Sequence, residues 1–462
     1  MPSADTRAST GGVGAASDVP ASGRVSRSAP RATSGAGASG AAAGSGVPAD
    51  PTVSTESTKL RPGDPGYRRL SLALFAAGLV AFGLLYSTQA LLPALSADLG
   101  VTAGRASWTV SGATLGLACA VLPLSVLSER FGRRRVMTLS LTLAVGLALL
   151  MPLAPSLGWL IALRVAQGVA LAGVPASAMA FLAEEVRARA LVGAIGLFVA
   201  GNSIGGMSGR IITGWATEAW GWRAGLLVLG GAAALCAVAY RLLVPRPRHF
   251  RPASVRPRAV ARTVREQLAN PLLLRLYAIG MLFMTVFGAV YTVVGYRLVH
   301  QPFGLSQGLA GSIFVIYLVG TVSSAAAGTL HARLGRRGAL YLAIGTTATG
   351  LLLSLAENLL AVAGGLVLIT AGFFAGHAVA SGSVSRTATT GRAQASALYQ
   401  MAYYLGSSLG GALGAFAYAA AGWPATAAFA LTALVAAAGI TLYATRRAVA
   451  ERRAVALAAA GR

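Results

Sequence analysis

Acidic residues are scarce in this chain: 13 Asp and Glu stand against 38 Lys and Arg over 462 residues. Charged residues of both signs make up 11% of the sequence, whereas hydrophobic residues make up 55% and the mean hydropathy is +0.67. A soluble protein of this length needs far more charge to cover its surface. The composition therefore excludes an ordinary soluble domain and indicates a membrane protein.

Three further absences narrow the function. The two cysteines, Cys119 and Cys236, lie in apolar runs, so no disulfide framework or metal site is expected, and no cofactor is predicted. No Gly-x-x-x-x-Gly-Lys-Ser/Thr loop occurs, which excludes an ATP-driven pump within this chain. Catalytic His, Asp or Glu do not cluster, and neither tail can fold an output domain. An enzyme is therefore not expected, and a membrane-embedded enzyme or sensor is kept only as an alternative.

Long apolar runs are what the sequence has instead. From Leu70 onward, runs of roughly 18–25 residues recur, each long enough to cross a hydrocarbon core of ~30 Å. Each crossing must be helical, because lipid offers no partner for an unpaired backbone group. The sequence therefore predicts an all-α membrane protein with twelve transmembrane helices. The predicted spans are 70–93, 107–127, 136–154, 159–182, 190–213, 223–244, 272–295, 309–330, 338–356, 359–382, 395–417 and 424–445.

The spans divide the chain into five segments. Residues 1–67 are rich in Gly, Ala, Ser, Thr and Pro and are predicted to form a disordered tail, because they cannot bury enough apolar surface to offset the entropy of ordering. Two six-helix bundles, 68–244 and 272–446, are joined by a basic linker at 245–271. A short tail follows at 447–462.

Positive charge alternates from one link between spans to the next. Arginines crowd the tails, the linker and every second link, whereas the other links offer little beyond Arg105, Arg223 and Arg297. Because Lys and Arg favour the cytoplasmic side, both termini are predicted to be cytoplasmic in a multi-pass protein of the cell membrane. Lipid is therefore the expected partner of this charged surface. Nucleic acid is not an expected partner, since the arginines follow the topology of the spans.

Two short sequences recur in the second half of the chain. Glu-Arg-Phe-Gly-Arg-Arg-Arg at 129–135 matches Ala-Arg-Leu-Gly-Arg-Arg-Gly at 332–338, and both link a second to a third span. Gly-Asn-Ser-Ile-Gly-Gly at 201–206 matches Gly-Ser-Ser-Leu-Gly-Gly at 406–411, and both lie in a fifth span. The two pairs have nearly the same offset. The chain is therefore interpreted as a duplication of six spans, which places a substrate path at the interface of the halves.

The first of these repeats resembles the cytoplasmic signature of the major facilitator superfamily, G-x-L-x-D-R-x-G-R-R-x-x-L. In the first half Glu129 stands for the aspartate and Ser125 for the leading glycine, and in the second half Ala332 lacks the acid. The matching residues are Arg130, Gly132, Arg133 and Arg134 in the first half, and Gly328, Leu330, Arg333, Gly335, Arg336, Arg337 and Leu340 in the second.

Two more segments carry the resemblance. The fourth span looks like the second signature of the superfamily, with Arg164, Gln167 and Gly168 in register. The fifth span is similar to the antiporter signature G-P-x-x-G-G, although Asn202 stands where proline is expected. The similarity covers about residues 68–446, and the drug and sugar efflux branch is nearest.

The resemblance implies two pseudo-symmetric six-helix bundles and a secondary active transporter that works by alternating access. It further implies proton-coupled efflux of a small molecule by a monomer. The departure at Asn202 weakens the inference of export, so an uptake symporter or a facilitator for a sugar or metabolite remains the alternative.

Charged residues at the cytoplasmic ends of the spans are the candidate conformational switch. Glycine permits a tight turn, and arginines bond carboxylates and helix C-termini. Such groups can latch the two halves in one state and release them in the other, or merely anchor the chain. The candidates are Glu129, Arg130, Gly132, Arg133, Arg134, Glu184, Arg187, Arg333, Gly335, Arg336 and Arg337.

Polar residues inside the spans are the candidates for coupling. A charge such as that of Arg164 costs ~2.5–3.5 kcal/mol in a span, so it is expected to face a cavity. The resemblance implies that it couples proton movement or holds an anionic group. Gln167 belongs to the same group, and Arg210 either forms a second polar site or reaches toward the periplasmic face. No Asp or Glu lies inside a predicted span, and His377 is expected to be structural.

Aromatic and amide side chains of the first, fourth and fifth spans of each half are predicted to line a cavity for an amphiphilic or weakly polar small molecule. The candidates are Tyr86, Gln89, Asn202, Phe287, Tyr291, Phe374, Tyr399, Gln400 and Tyr403, with Tyr404 and Gln167 beside them. Glycines at four-residue steps are predicted to bring helix backbones close together. They are Gly201, Gly205, Gly209, Gly406, Gly410 and Gly414.

Overall fold

The computed structural model describes residues 58–250, 252 and 257–460. These residues are almost entirely α-helical, and a lone backbone bridge between Leu60 and Val186 is the one extended pairing in the described part. The helices are α1 Pro65–Leu85, α2 Leu92–Leu99, α3 Ala103–Ala106, α4 Trp108–Phe131, α5 Arg133–Leu150, α6 Leu157–Leu171, α7 Gly173–Glu185, α8 Ala188–Leu243, α9 Pro257–Ala269, α10 Pro271–Val299, α11 Gln307–Ser312, α12 Tyr317–Leu353, α13 Leu359–Thr387 and α14 Arg392–Ala460.

Nine helical stretches of the described residues are long and apolar enough to cross a membrane. Three of them are too long for one crossing, which takes about 20 residues. They are Ala188–Leu243 with 56 residues, Gln307–Leu353 with 47 and Arg392–Arg446 with 55. Each of these three must cross the membrane twice, so the nine stretches make the twelve predicted crossings.

A glycine in the left-handed region breaks each of these three long helices. Gly221, Gly335 and Gly422 have φ angles of 82°, 67° and 67°. A side chain at such an angle is strained, whereas glycine adopts it freely. Beyond the last break the chain folds back on the preceding crossing, as shown by the Thr426 hydroxyl, which donates to the Gly414 carbonyl at 3.0 Å.

The predicted fold class is confirmed: the protein is an all-α membrane protein with the fold of the major facilitator superfamily. Every predicted span overlaps one observed crossing. Helix α9 lies within the predicted linker, and α14 continues to Ala460. Residues 1–57 of the predicted tail lie outside the described residues.

The sequence repeat reappears as a repeated helix contact. A Cβ added to Gly205 would lie 2.4 Å from the Leu79 carbonyl oxygen, and one added to Gly410 would lie 2.2 Å from that of Thr285. Helix α8 therefore touches the backbone of α1 just as α14 touches that of α10. The glycines one turn before and after, in both halves, make the same kind of contact: Gly201, Gly209, Gly406 and Gly414.

Hydrogen bonds join the two halves, 58–250 and 257–460, at one end of the bundle. We call the end that carries Gly132 and Gly335 the basic end, and the other the opposite end. At the opposite end the hydroxyl groups of Ser96 and Tyr296 lie 2.6 Å apart. Further hydrogen bonds between the halves join Glu218 to Gly308, Trp215 to Ser312, Gln89 to Thr292 and Ser408 to Ser111.

The basic end is different. Across the part of the chain that the structure describes, no hydrogen bond or ion pair joins the two halves there. Among the described residues, the polar contacts between the halves are therefore concentrated at the opposite end.

The basic linker is attached to both halves. Glu185, at the end of α7, accepts hydrogen bonds from the backbone N–H groups of Arg248 and His249 at 2.7 and 2.9 Å. After the gap in the described residues, Gln267 of α9 donates to the Thr390 carbonyl at 2.7 Å. The linker thus begins on the N-terminal half and ends on the C-terminal half.

Candidate functional site

A cavity of about 290 Å³ lies between the two halves at mid-depth. Helices α1, α7 and α8 of the first half and α10, α12, α13 and α14 of the second contribute side chains to it. Ligand pockets for drug-sized molecules have volumes of roughly 300–1,000 Å³, so this space suits a small organic molecule. Eight of the predicted cavity residues line it: Tyr86, Gln89, Asn202, Phe287, Phe374, Gln400, Tyr403 and Tyr404.

Two predicted cavity residues lie behind the lining. The Tyr291 hydroxyl bonds to Thr370, at 2.6 Å, and is buried between helices. The Tyr399 hydroxyl lies at hydrogen-bond distance, 2.9 Å, from Nδ1 of His377, on the side of that imidazole away from the cavity. The sequence analysis predicts both tyrosines in the cavity because they are aromatic residues of the predicted lining spans. The position of a residue in a span does not give the direction of its side chain, and these two point between helices.

The lining also contains residues that the sequence did not assign to it. His377, expected to be structural, lines the cavity together with Phe373, Tyr317 and Met284. His377 and Phe373 lie one helical turn apart on α13, so they share a face. That spacing, next to the assigned Phe374, was the signal available in the sequence.

Aromatic rings form the wall of the cavity on the C-terminal half. Phe287 of α10 stacks on Phe373 of α13 with ring centroids 3.9 Å apart. Tyr403 lies 4.7 Å from the His377 ring, and Phe374 meets Phe287 edge-on. Such a wall offers flat apolar contacts to a ligand, with a few hydroxyl groups among them.

Arg210 of α8 forms the inner end of the cavity and is 2% exposed. Its Nε donates to the Gln89 side-chain oxygen at 2.6 Å, and its Nη1 to the Gly206 carbonyl. The rings of Tyr86 and Tyr317 lie 4.5 and 5.0 Å from the guanidinium carbon. The side chain therefore lies within the bundle and does not reach toward the membrane surface, and its role in coupling stays a prediction.

Arg164 is fully buried outside the cavity lining, which corrects the expectation that it faces a cavity. Its guanidinium donates to the Thr109 and Leu84 carbonyls at 2.7 Å each, and to the Leu85 carbonyl. It also donates to Ser87 and to Gln167. The Leu84 and Leu85 carbonyls lie where the helix is interrupted between α1 and α2, and they accept hydrogen bonds from this buried charge. Gln167, which donates to the Ala144 carbonyl at 3.0 Å, also lies outside the cavity lining.

Part of the predicted switch comes together at the basic end. Arg133 bonds Glu184 at 3.0 Å and lies 4.0 Å from Glu129, which ties the turn at Gly132 to the end of α7. Its Nη1 also donates to the Ser128 hydroxyl at 2.6 Å. The contacts lie within the N-terminal half.

The other switch candidates are spread over the basic end. Arg130 and Arg333 are exposed, and Arg187 bonds the Lys59 carbonyl at 3.3 Å. In the second half Arg337 donates to the Ala444 carbonyl at 3.3 Å, which attaches the Gly335 turn to the last crossing. Arg134 and Arg336 lie half-buried beside these groups. A latch between the halves stays a prediction for a state in which the basic end is closed.

Replacing Arg133 with alanine is expected to lower the free energy of unfolding by about 1–3 kcal/mol, because Glu184 loses its charged partner. The measurement is the midpoint of thermal unfolding of the purified protein in detergent. The control is Arg130→Ala, an exposed arginine of the same signature, for which a change within about 0.5 kcal/mol is expected. Equal losses in the two variants would contradict the pair as the stabilising contact.

The comparisons with known proteins agree with this architecture. The model of the Major Facilitator Superfamily matches residues 73–388 and 299–460. The chain is 38% identical over 384 residues to the inner membrane transport protein YnfM of Escherichia coli K12, covering 83% of this chain and 92% of that one. The chain therefore belongs to the major facilitator superfamily.

Solved structures share the fold. A bacterial homologue of the human lysosomal transporter Spinster, in an inward-facing and occupied conformation, superposes with a TM-score of 0.67 at 16% identity, covering 83% of this chain and 98% of that one. The nucleoside transporter NupG gives 0.66 at 13% identity, covering 81% and 99%. The protein is thus a multi-pass membrane transporter of this superfamily, whose two halves move by alternating access.

Proposed function

We propose that this transporter exports a small amphiphilic molecule from the cytoplasm in exchange for protons. In this proposal it acts as a monomer in the cell membrane, with the basic end and both termini on the cytoplasmic side. The observation that carries it is a cavity lined by both halves, together with the polar contacts between the halves, which in the described residues lie at the opposite end and not at the basic end. A substrate would enter that cavity from the cytoplasm.

The chemistry of the cavity supports the kind of substrate. Its walls are mostly aromatic and aliphatic, with Gln89 bonded to Arg210 and with two further amides, Asn202 and Gln400. The side-chain nitrogens of Asn202 and Gln400 make no hydrogen bond among the described residues and are not among the fully enclosed polar atoms, so both reach the cavity space. A ligand with a hydrogen-bond acceptor can therefore bond these two donors. An amphiphilic molecule matches both parts of the surface.

Proton exchange is the energy source that fits the chain. The sequence has no phosphate-binding loop, so ATP cannot drive this polypeptide directly. His377 is the one histidine among the residues that line the cavity, and an imidazole nitrogen can carry a proton. Its Nδ1 is held by Tyr399, which leaves Nε2 as the atom to take up the exchanged proton.

The test is accumulation of candidate compounds in a bacterial host that lacks its own efflux pumps, with and without an uncoupler. Expression is expected to lower the accumulation of at least one amphiphilic compound several-fold, and the uncoupler is expected to abolish the difference. Higher accumulation on expression would show uptake, and efflux that persists with the uncoupler would remove proton exchange.

A matched control uses the contact between Trp215 and Ser312, whose side chains lie 3.0 Å apart across the halves. Cysteines at these two positions, joined through two disulfide bonds by a short bis-methanethiosulfonate reagent, would hold the opposite end closed. In a background with Cys119 and Cys236 replaced by serine, the cross-link is expected to stop efflux and a reducing agent to restore it. Efflux by the cross-linked protein would contradict alternating access through this cavity.

Uptake of a sugar or metabolite is the second candidate. Asn202, in place of the proline of the antiporter signature, lines the cavity and offers an amide to a polar substrate. NupG, which shares the fold, is named as a nucleoside transporter. The accumulation experiment separates the two directions, because export lowers and uptake raises the cellular content of the same compound.

A further inference from the structure

The cavity carries a buried positive charge without a matching carboxylate. Among the residues that line it there is no Asp or Glu, and Arg210 is the one residue with a permanent charge. No ion pair with Arg210 occurs in the described residues, although the side chain is 2% exposed. A buried charge is costly unless it is paired, so this site is electrostatically incomplete.

The two buried arginines of the first half differ in this respect. Arg164 donates to three backbone carbonyls and two side chains, and these acceptors occupy its whole guanidinium. Arg210 uses Nε for Gln89 and Nη1 for Gly206, whereas its Nη2 has no acceptor among the described residues. Several polar atoms of the described residues are fully enclosed and have no partner, but Nη2 of Arg210 is not one of them. It is therefore accessible from the cavity space.

A second polar group at the same end also lacks a partner. The Tyr317 hydroxyl is buried and makes no hydrogen bond among the described residues, and its ring lies 5.0 Å from the Arg210 guanidinium carbon. The guanidinium and the hydroxyl come from different halves of the transporter. Because the Tyr317 hydroxyl is fully enclosed, Nη2 of Arg210 is the one of these two donors that faces the cavity space.

We propose that Arg210 recognises the acidic group of an organic monoanion whose flat apolar body lies against Phe287, Phe373 and Phe374. A carboxylate accepts from Nη2 of Arg210 and supplies the charge that the site lacks. This assignment rests on the proposed function, since it names the substrate class of the same cavity. It also makes organic cations poor substrates, because Arg210 repels them and the lining offers no carboxylate.

The test measures binding of three probes of the same size to the full chain purified into lipid nanodiscs. Naphthoate, naphthamide and naphthyltrimethylammonium carry the same ring system with a negative, neutral and positive group. Equilibrium dialysis is expected to show naphthoate bound about 10–100-fold more tightly than naphthamide, as a charge-assisted hydrogen bond predicts. Equal affinity of these two, preference for the ammonium probe, or no binding of naphthoate overturns the assignment.

Variants assign the preference to the guanidinium. Arg210→Gln is expected to abolish the preference for naphthoate while naphthamide still binds, which shows that the cavity is intact. Arg210→Lys keeps the charge and is expected to keep a smaller preference. Arg105→Gln, an exposed arginine outside the cavity, is expected to bind like the wild type. A naphthoate preference that survives Arg210→Gln contradicts the role of this residue.

The outcome is independent of the direction and the coupling of transport. Binding in nanodiscs needs no gradient, so an uncoupler-insensitive flux would remove proton exchange and leave the anion preference in place. Conversely, proton-driven efflux of neutral compounds together with equal binding of naphthoate and naphthamide would keep the proposed function and remove the anion site.

Discussion

Replacing Arg164 with alanine is expected to lower the free energy of unfolding by about 3–5 kcal/mol, the range for removing one partner of a buried charged contact. The guanidinium holds the Leu84 and Leu85 carbonyls, where α1 ends, against the Thr109 carbonyl of α4. Without it the Leu85 carbonyl loses the donor that the interruption of the helix does not supply, and the Leu84 carbonyl keeps only backbone N–H groups such as that of Ser87 at 3.2 Å. The measurement is thermal unfolding of the purified protein, followed by size-exclusion chromatography.

Two further variants sharpen this prediction. Arg164→Lys keeps the charge but offers one compact ammonium in place of a planar fork, so it is expected to lose an intermediate amount. Arg105→Ala removes an exposed arginine and is expected to have an effect within about 0.5 kcal/mol. An Arg164→Ala protein as stable as the wild type would show that water enters and solvates the freed carbonyls.

Adding one methyl group to Gly205 is expected to destabilise the protein by about 1–3 kcal/mol, the usual cost of overpacking. The new Cβ would lie 2.4 Å from the carbonyl oxygen and 2.6 Å from the Cα of Leu79. Because both atoms belong to the backbone, no side chain can move aside, and the two helices must separate. The same change at Gly410 meets the Thr285 backbone in the other half. The double variant is expected to lose about the sum, since distant sites are additive.

The matched control lies in the same crossing. Gly196 of α8 has open space where its Cβ would be, so Gly196→Ala is expected to leave stability unchanged or raise it by up to about 1 kcal/mol, the difference in helix propensity. Thermal unfolding of the variants in parallel is the measurement. A loss at Gly196 equal to that at Gly205 would mean that helix propensity, and not contact between α8 and α1, sets the effect.

The sequence predicted the crossings well for a physical reason. Length and apolar composition decide whether a segment spans a membrane, and both are properties of the segment itself. The turns that divide the long helices were harder to predict from the sequence. Gly221 and Gly422 end crossings with few polar neighbours, so the predicted edges nearby were set only by the fall in hydropathy.

The cavity was harder to predict, because the direction of a side chain depends on how helices pack. Arg164 and Arg210 both lie in apolar spans, and the sequence favoured the first as the residue facing the cavity. In the structure Arg210 lines the cavity and Arg164 does not. The Arg164 guanidinium instead bonds the Leu84 and Leu85 carbonyls at the interruption between α1 and α2. Neither Ser87 nor these carbonyls carry a pattern that marks them in the sequence. Contacts across the repeat are likewise visible only in three dimensions.

The attachment of the linker to both halves limits how far the transporter can open. Glu185 holds the backbone at His249, and α9, which begins at Pro257, bonds the other half through Gln267. The eight residues from His249 to Pro257 extend at most about 29 Å, and the helix from Pro257 to Gln267 adds about 15 Å, so these two attachment points can never lie more than about 44 Å apart. The covalent chain itself thus sets an upper bound on the separation of the two halves at the basic end, whatever substrate passes between them.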